Sequence, residues 1–223
     1  MQTITFKSVP STNKYLKKHL DDYQGDVCIH AYHQSDGKGR RGRVWSSGDG
    51  ENLLVTYHIS CIDTNAKALF TSALSVLKTL ETYGISADIK LPNDILHNNR
   101  KLSGILIENL TGKNKIIIGI GLNVNETFTD HFPNAISMSM INGTTYDIDA
   151  VRDVLSDNMT HYASKPEETL LEAFKVKLFK NDIFAFHGEK SVEVQDIDSK
   201  FNCKVDGSWL SCDVLEFSLP KRK

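Results

Sequence analysis

Apolar residues recur at helical spacing between Thr64 and Tyr83, where Leu69, Ala73, Val76, Leu77 and Leu80 share one stripe and Gly84 supplies a stop, so this segment predicts an amphipathic helix. Ala150 to Tyr162 and Glu167 to Phe179 predict two more. A shorter helix through Tyr15, Leu16 and Leu20 follows Pro10-Ser11-Thr12-Asn13, whose hydroxyl and amide side chains suit an N-cap. Elsewhere the pattern is that of strands. A short opening strand is followed by Val27 to His33, Asn52 to Ile59, Asp88 to Leu91, Asp94 to His97 and Leu102 to Leu110, with Asn98-Asn99 as a tight hairpin turn between the last two. Lys115 to Val124 is apolar enough for the centre of a sheet, and Gly119 and Gly121 within it leave room for another group to approach. Beyond Asn181 the strand candidates become short and polar-punctuated (Ser191 to Val194, Phe201 to Val205, Val214 to Leu219). They predict a small β module, residues 181–223, joined without a flexible linker to a larger unit, residues 1–180. There are no internal repeats.

Between the second and third predicted strands runs Gln34-Ser-Asp-Gly-Lys-Gly-Arg-Arg-Gly-Arg-Val-Trp45, in which Lys38, Arg40, Arg41 and Arg43 face a single carboxylate, Asp36. The whole chain carries a net charge of -2, so this positive charge is concentrated in one place. Glycines that bring backbone N–H groups close, together with guanidinium forks, make a loop suited to carboxylate or phosphate. A solvated basic turn is the plain alternative, and for Arg41 and Arg43 it stays open. Gly37, Gly39 and Gly42 also satisfy the dinucleotide and kinase glycine patterns. The first requires a helix directly afterwards, which Val44-Trp45-Ser46-Ser47-Gly48 does not favour, and the second requires His-Arg-Asp and Asp-Phe-Gly segments that are absent.

At 223 residues, 40% apolar and 24% charged, the chain can bury a substantial core. Its near-neutral balance argues against nucleic acid as a partner. Nothing in it has signal-peptide or membrane-span character, which leads to the expectation of a cytoplasmic protein that does not engage a membrane. Cys28, Cys61, Cys203 and Cys212 form no C-x-x-C pair and are expected as reduced thiols. The eight histidines show no metal spacing, and His30 and His33 would face opposite sides of a strand.

Four further segments fit around the loop: Ser11-Thr12-Asn13, Lys90-Leu91-Pro92-Asn93-Asp94, Lys101-Leu-Ser-Gly104-Ile-Leu-Ile-Glu108 and Gly119-Ile-Gly121-Leu-Asn123. In this order and spacing they closely resemble the catalytic domain of the biotin protein ligases (biotin–[acetyl-CoA-carboxylase] ligases), strongly over Ser11 to Asn125 and beyond it by layout only. The resemblance implies an α+β fold, a mixed and mostly antiparallel sheet flanked by helices, related to lipoate ligases and followed by a small SH3-like β module. It implies an enzyme that joins biotin and ATP, with Mg²⁺, into biotinyl-5′-AMP and passes the biotinyl group to one lysine of a biotin carboxyl carrier protein. A lipoate or octanoyl ligase on the same scaffold is the nearest rival; a non-catalytic biotin or nucleotide sensor is another. A homodimer is left open. Only ten residues precede Ser11, fewer than the helix-turn-helix domain of some relatives needs, so a repressor role is not expected.

Carried over by position, Ser11, Thr12, Asn13, Gln34, Lys38, Gly39, Arg40, Lys101 and Gly104 would bind biotin, and Lys38, Arg40, Trp45, Lys90, Asn93 and Asn123 would bind ATP. Lys101 and Arg40 would be catalytic, Lys101 being the principal cation. No side-chain nucleophile and no protein-held metal is implied. Asn93 could instead be a turn residue, Asn123 a strand-end residue and Trp45 a core residue. The sequence departs from the family pattern at Leu91, where tryptophan is usual, and at Lys38, where arginine is common and a point charge replaces a fork.

Overall fold

The structure, a computed structural model, describes residues 1–45, 48, 50–110, 112–129, 132–178 and 184–217. Strands β1 (Gln2–Val9), β2 (Val27–Gln34), β3 (Asn52–His58), β4 (Asp88–Lys90), β5 (Asp94–His97), β6 (Arg100–Leu110) and β7 (Lys115–Asn123) form one sheet in the order β1-β2-β3-β7-β6-β5-β4. Only β1 and β2 are parallel, joined over one face by helix α1 (Thr12–His19); the other neighbours are antiparallel. The expected mixed sheet is therefore present. The Asn98-Asn99 turn between β5 and β6 has φ of 48° and 63°, the left-handed pair that a tight hairpin demands.

The two sheet faces are covered unequally, and that inequality creates the site. On one face lie α2 (Asn65–Thr82), α4 (Ile148–Ala163) and α5 (Glu167–Val176), with the short α3 (Met138–Asn142) beside them. Their stripes bury Phe70, Val76, Leu80, Leu155 and Phe174 against Val55, Tyr57, Ile118 and Ile120, and the Phe70 and Phe174 rings stand 4.8 Å apart. Thr64 caps α2, its side chain accepting from Lys67 N at 3.0 Å, and Gly84 leaves the helix at φ 72°. Among the described residues the one helix on the other face is α1, whose Leu16, with the following Leu20, packs on Val27, Ile29 and Ile117. The central part of that face stays open.

His30 sits on the crowded face, fully buried, its Nδ1 3.4 Å from Arg152 Nη1 and 3.7 Å from Asp149 Oδ1. Burial, then the Arg152 charge, lowers its pKa to about 4, and Asp149 and Asp153 oppose the shift only partly. An unfolded histidine protonates near 6.5, so as pH falls from about 6.5 to about 4 the unfolded chain takes up the proton first. Stability present at pH 7 is lost across that window, on the order of 3 kcal/mol. Denaturant melts at pH 7 and pH 4.5 should show that loss, and His30→Gln should flatten it.

After α5 the chain makes two three-stranded sheets: β8 (Phe184–His187), β9 (Lys190–Glu193) and β13 (Glu216–Phe217) in the order β13-β8-β9, and β10 (Asp196–Ile197), β11 (Asn202–Val205) and β12 (Ser208–Ser211) in the order β10-β11-β12. A β module is thus present, with β8, β10 and β12 beyond what the polarity pattern picked out. Helix α5 ends at Val176, three residues short of the expected Phe179, which lies outside the described residues, as do Ser218 and Leu219 of the last expected strand. The expectation of four reduced cysteines is corrected: Cys203 and Cys212 form a disulfide with Cα atoms 5.5 Å apart, because the turn after β12 carries Cys212 back onto β11. Cys28 and Cys61 are free, and burial pushes the Cys28 thiol up to about 12.

Candidate active site

Pairing brings Leu54, Gly121, Gly104 and Asp94 into one row across β3, β7, β6 and β5, and Thr56, Gly119 and Leu106 into the next row on the same face. Side chains two apart along a strand share a face. Three glycines in adjacent places therefore leave a gap in the side chains of that face, next to the first turn of α1. A cavity of about 530 Å³ opens there, a size usual for small-molecule sites. It runs across the strands from Ser11, Thr12, Asn13 and Gln34 to Lys90, Asn93 and Asp94, beneath the Lys38–Trp45 loop and against Phe186, Glu216 and Phe217 of the C-terminal module.

The first end is an amide and hydroxyl network. Ser11 Oγ caps α1, accepting from Lys14 N at 3.4 Å, and Ser11 also lines the cavity. Gln34 Oε1 accepts Thr12 N–H at 2.7 Å and stands 3.0 Å from Thr12 Oγ1. Asn13 Nδ2 donates to Glu108 at 2.7 Å, and its Oδ1 accepts from buried Thr56 at 2.6 Å. Lys17 holds Glu108 from its other oxygen. The group that Gly119 admits is Asn13: a Cβ there would stand 3.0 Å from Asn13 Cγ and closer still to Oδ1.

The other end is cationic. Among the described residues six lysines and arginines line the cavity (Lys38, Arg40, Arg41, Arg43, Lys90, Lys101) against two carboxylates, Asp94 and Glu216. The loop folds on itself through a Lys38–Val44 bridge, Gly39 N–H to Arg43 O at 2.7 Å and Trp45 N–H to Gly37 O at 3.0 Å. Gly37 must lack a side chain, since a Cβ would meet Trp45 O at 2.6 Å. Among the described residues a 3-10 turn, Arg40–Gly42, follows Gly39, and Arg43, Val44 and Trp45 after it are not helical. Of the three loop glycines only Gly42 takes positive φ, 74°, next to Arg41 at 53°.

Four of these cations are held by partners a ligand anion could replace. Lys101 Nζ meets Asp94 at 2.7 Å, Lys38 pairs with Asp36, Arg40 with Asp213, and Arg41 donates to Asp213 O at 3.1 Å. Hydrogen bonds from Lys14 and Lys38 hold Asp36 down to about 2, so it stays ionised at every working pH. Burial lowers the Lys90 pKa, and the Lys101 and Arg43 charges add to this against Asp94. Because Asp213 tethers the loop from the C-terminal module, Asp213→Ala should speed trypsin cleavage after Arg40 and Arg41 in the ligand-free protein; an unchanged digest would mean that the contact does not hold the loop.

The structure thus brings Arg40 and Lys101 to one cavity, together with Ser11, Thr12, Asn13, Gln34, Lys38, Gly39, Trp45, Lys90, Asn93 and Gly104. Trp45 lies across the glycine floor: a Cβ on Gly104 would fall 2.8 Å from its ring and one on Gly121 closer still, and Lys101 Nζ stands 5.3 Å from the ring centroid, a cation–π distance. Asn93 is clamped, donating to Ile105 O at 2.6 Å while its own O accepts from Ile105 N, after a cis Leu91–Pro92 bond. Asn123 does not line the cavity. It is buried and donates to Lys101 O at 3.2 Å and Ile136 O at 3.0 Å, which steadies the Lys101 backbone. The sequence reading gave no role to Thr56, Asp94, Glu108 or Asp213. Asp94 and Glu108 stood inside quoted segments, whereas Thr56 and Asp213 had no local signal.

Residues 5–125 match the model of the biotin/lipoate A/B protein ligase family. Over 125 residues the chain is 38% identical to the bifunctional ligase/repressor BirA of Escherichia coli, covering 52% of this chain and 38% of that protein. It is 30% identical over 125 residues to the biotin–[acetyl-CoA-carboxylase] ligase of Mycobacterium tuberculosis, covering 52% and 46%. The match thus spans less than half the length of these relatives. A solved structure of the Aquifex aeolicus biotin protein ligase in complex with biotin and ATP superposes with a TM-score of 0.78 at 23% identity, over 98% of this chain and 96% of that one, and the two share a fold. Since the family model takes in more than half of its residues, the chain belongs to the biotin/lipoate A/B protein ligase family.

Proposed function

We propose that this protein activates biotin with ATP to biotinyl-5′-AMP and transfers the biotinyl group to a lysine of a biotin carboxyl carrier protein. The observation that carries this reading is the polarity of one cavity: uncharged donors and acceptors at one end, six cations at the other, and a glycine floor between them. In the first step a carboxylate oxygen of biotin attacks the α-phosphorus of ATP, forming a mixed anhydride as the bond to pyrophosphate breaks. Two unit charges about 4 Å apart repel by about 4 kcal/mol at an effective dielectric near 20. Lys101 and Arg40 offset that repulsion, with Lys38 beside them, so the protein acts by placement and charge. In the second step the carrier lysine amine attacks the activated carbonyl and AMP leaves.

On this reading Mg²⁺ arrives as part of the nucleotide substrate. The ureido ring of biotin offers a carbonyl and two N–H groups to the Thr12, Asn13 and Gln34 end, whereas a lipoyl dithiolane offers none and would leave buried polar groups unpaired. On this reading the 1–180 unit binds both substrates and the 181–223 module closes the cavity mouth through Asp213 and Glu216. Calorimetry with biotin and with lipoate, followed by a pyrophosphate-release assay, tests the proposal. Binding of biotin and biotin-dependent release are expected. Preference for lipoate would point to the lipoyl reading, and biotin binding without release to a sensor.

A further inference from the structure

The donor and acceptor directions at the uncharged end are set by proton inventory. A carboxylate only accepts, so the Asn13 group 2.7 Å from Glu108 must be its NH2, and Oδ1 is turned toward Thr56. Thr56 has one proton, and Asn13 Oδ1, 2.6 Å away, can only accept it; the Thr12 hydroxyl proton then serves either Thr56 at 2.8 Å or Gln34 at 3.0 Å. Thr12 N–H likewise forces Gln34 to turn its oxygen inward, which leaves its NH2 beside Gly37, 3.2 Å from where a Cβ there would stand. The Asn13 amide oxygen therefore keeps a spare lone pair and the Gln34 amide keeps its donors, and both residues line the cavity. Flipping Asn13 would set its oxygen against the Glu108 carboxylate.

We propose that Glu108, outside the cavity lining, is a positioning and specificity residue: acting with Thr56, it locks the Asn13 carboxamide with its oxygen toward the ligand, so that the site selects a ring carbonyl flanked by N–H groups. This rests on the ligase reading above and names the residue that makes the site selective. Glu108 is half-buried and paired with Lys17, 91 residues away in sequence, so its placement depends on β6 meeting α1.

The test is the Michaelis constant for biotin and for ATP, measured separately in the pyrophosphate-release assay on wild type, Glu108→Leu, Glu108→Gln and Thr56→Val, with thermal melts alongside. Glu108→Leu removes the acceptor and should raise the biotin constant roughly tenfold or more while leaving the ATP constant alone. Glu108→Gln, whose oxygen still accepts from Asn13, should recover most of the loss. Thr56→Val, which lacks the hydroxyl proton, should behave like Glu108→Leu and carries the test if that variant does not fold. An unchanged biotin constant in the folded variants, an equal rise in both constants, or a Gln variant no better than Leu overturns the assignment. Wild type that takes no biotin overturns the ligase reading itself, and this assignment with it.

Discussion

Lys101→Ala should cut biotin-dependent pyrophosphate release by roughly 10²- to 10³-fold, the usual loss when one preorganised charge is removed from a developing anionic centre. Its backbone is fixed independently of its ammonium group. Lys101 N–H donates to Asn134 O at 2.6 Å, its O accepts from Ile136 N at 3.0 Å, and Asn123 holds the same oxygen. Truncation therefore takes away the charge without loosening the strand. The Asp94 carboxylate loses its partner but keeps access to water, so the melting temperature should move little. Lys101→Arg separates charge from shape: a guanidinium restores the charge but cannot occupy the space between Asp94 and the Trp45 ring, and only partial recovery is expected. Retention of pyrophosphate release in Lys101→Ala would remove this residue from the chemistry.

Gly119→Ala should weaken biotin binding by one to two orders of magnitude, measured by calorimetry. The added methyl would stand 3.0 Å from Asn13 Cγ and Nδ2 and nearer still to Oδ1. Overpacking of this kind costs about 1–3 kcal/mol, and each 1.4 kcal/mol is about tenfold in affinity. The carboxamide is the softest neighbour, so it is displaced, and its hydrogen bonds to Thr56 and Glu108 go with it. Adding Asn13→Ala to Gly119→Ala restores the room and should restore thermal stability, yet it should leave biotin binding weak. A Gly119→Ala variant that binds biotin as tightly as wild type would show that Asn13 is not part of the recognition.

The parts of the site that were legible in the sequence are those whose chemistry is written locally. Lys38 to Trp45 stands out as a cationic loop because glycines and guanidinium groups alternate within a few residues, and the flanking strands show as apolar runs with turn signals at each end. Helix α2 shows because its stripe continues over five turns with a cap before it and Gly84 after it. Gly119 and Gly121 announced a close approach, but the approaching groups, Asn13 and Trp45, come from elsewhere in the chain and cannot be named from β7 alone. Thr56 reads as any strand threonine until β3, β7 and α1 meet. Asp213 lies 173 residues from Arg40, and no periodicity links them. The disulfide escaped for the same reason: the spacing of nine between Cys203 and Cys212 resembles no motif and becomes a contact only when the β11–β12 hairpin closes. Elements of two to five residues, such as α3 and β10, are too short for a period to show at all.

The most direct test of convergence between the cationic loop and Lys101 is mass spectrometry of the acid-quenched protein after incubation with biotin and MgATP, with no carrier present. The account predicts stoichiometric biotinyl-5′-AMP in wild type, none when biotin is replaced by lipoate, and almost none in Lys101→Ala. Intact ATP in every sample, or the same adenylate yield with and without the Lys101 ammonium, would contradict it.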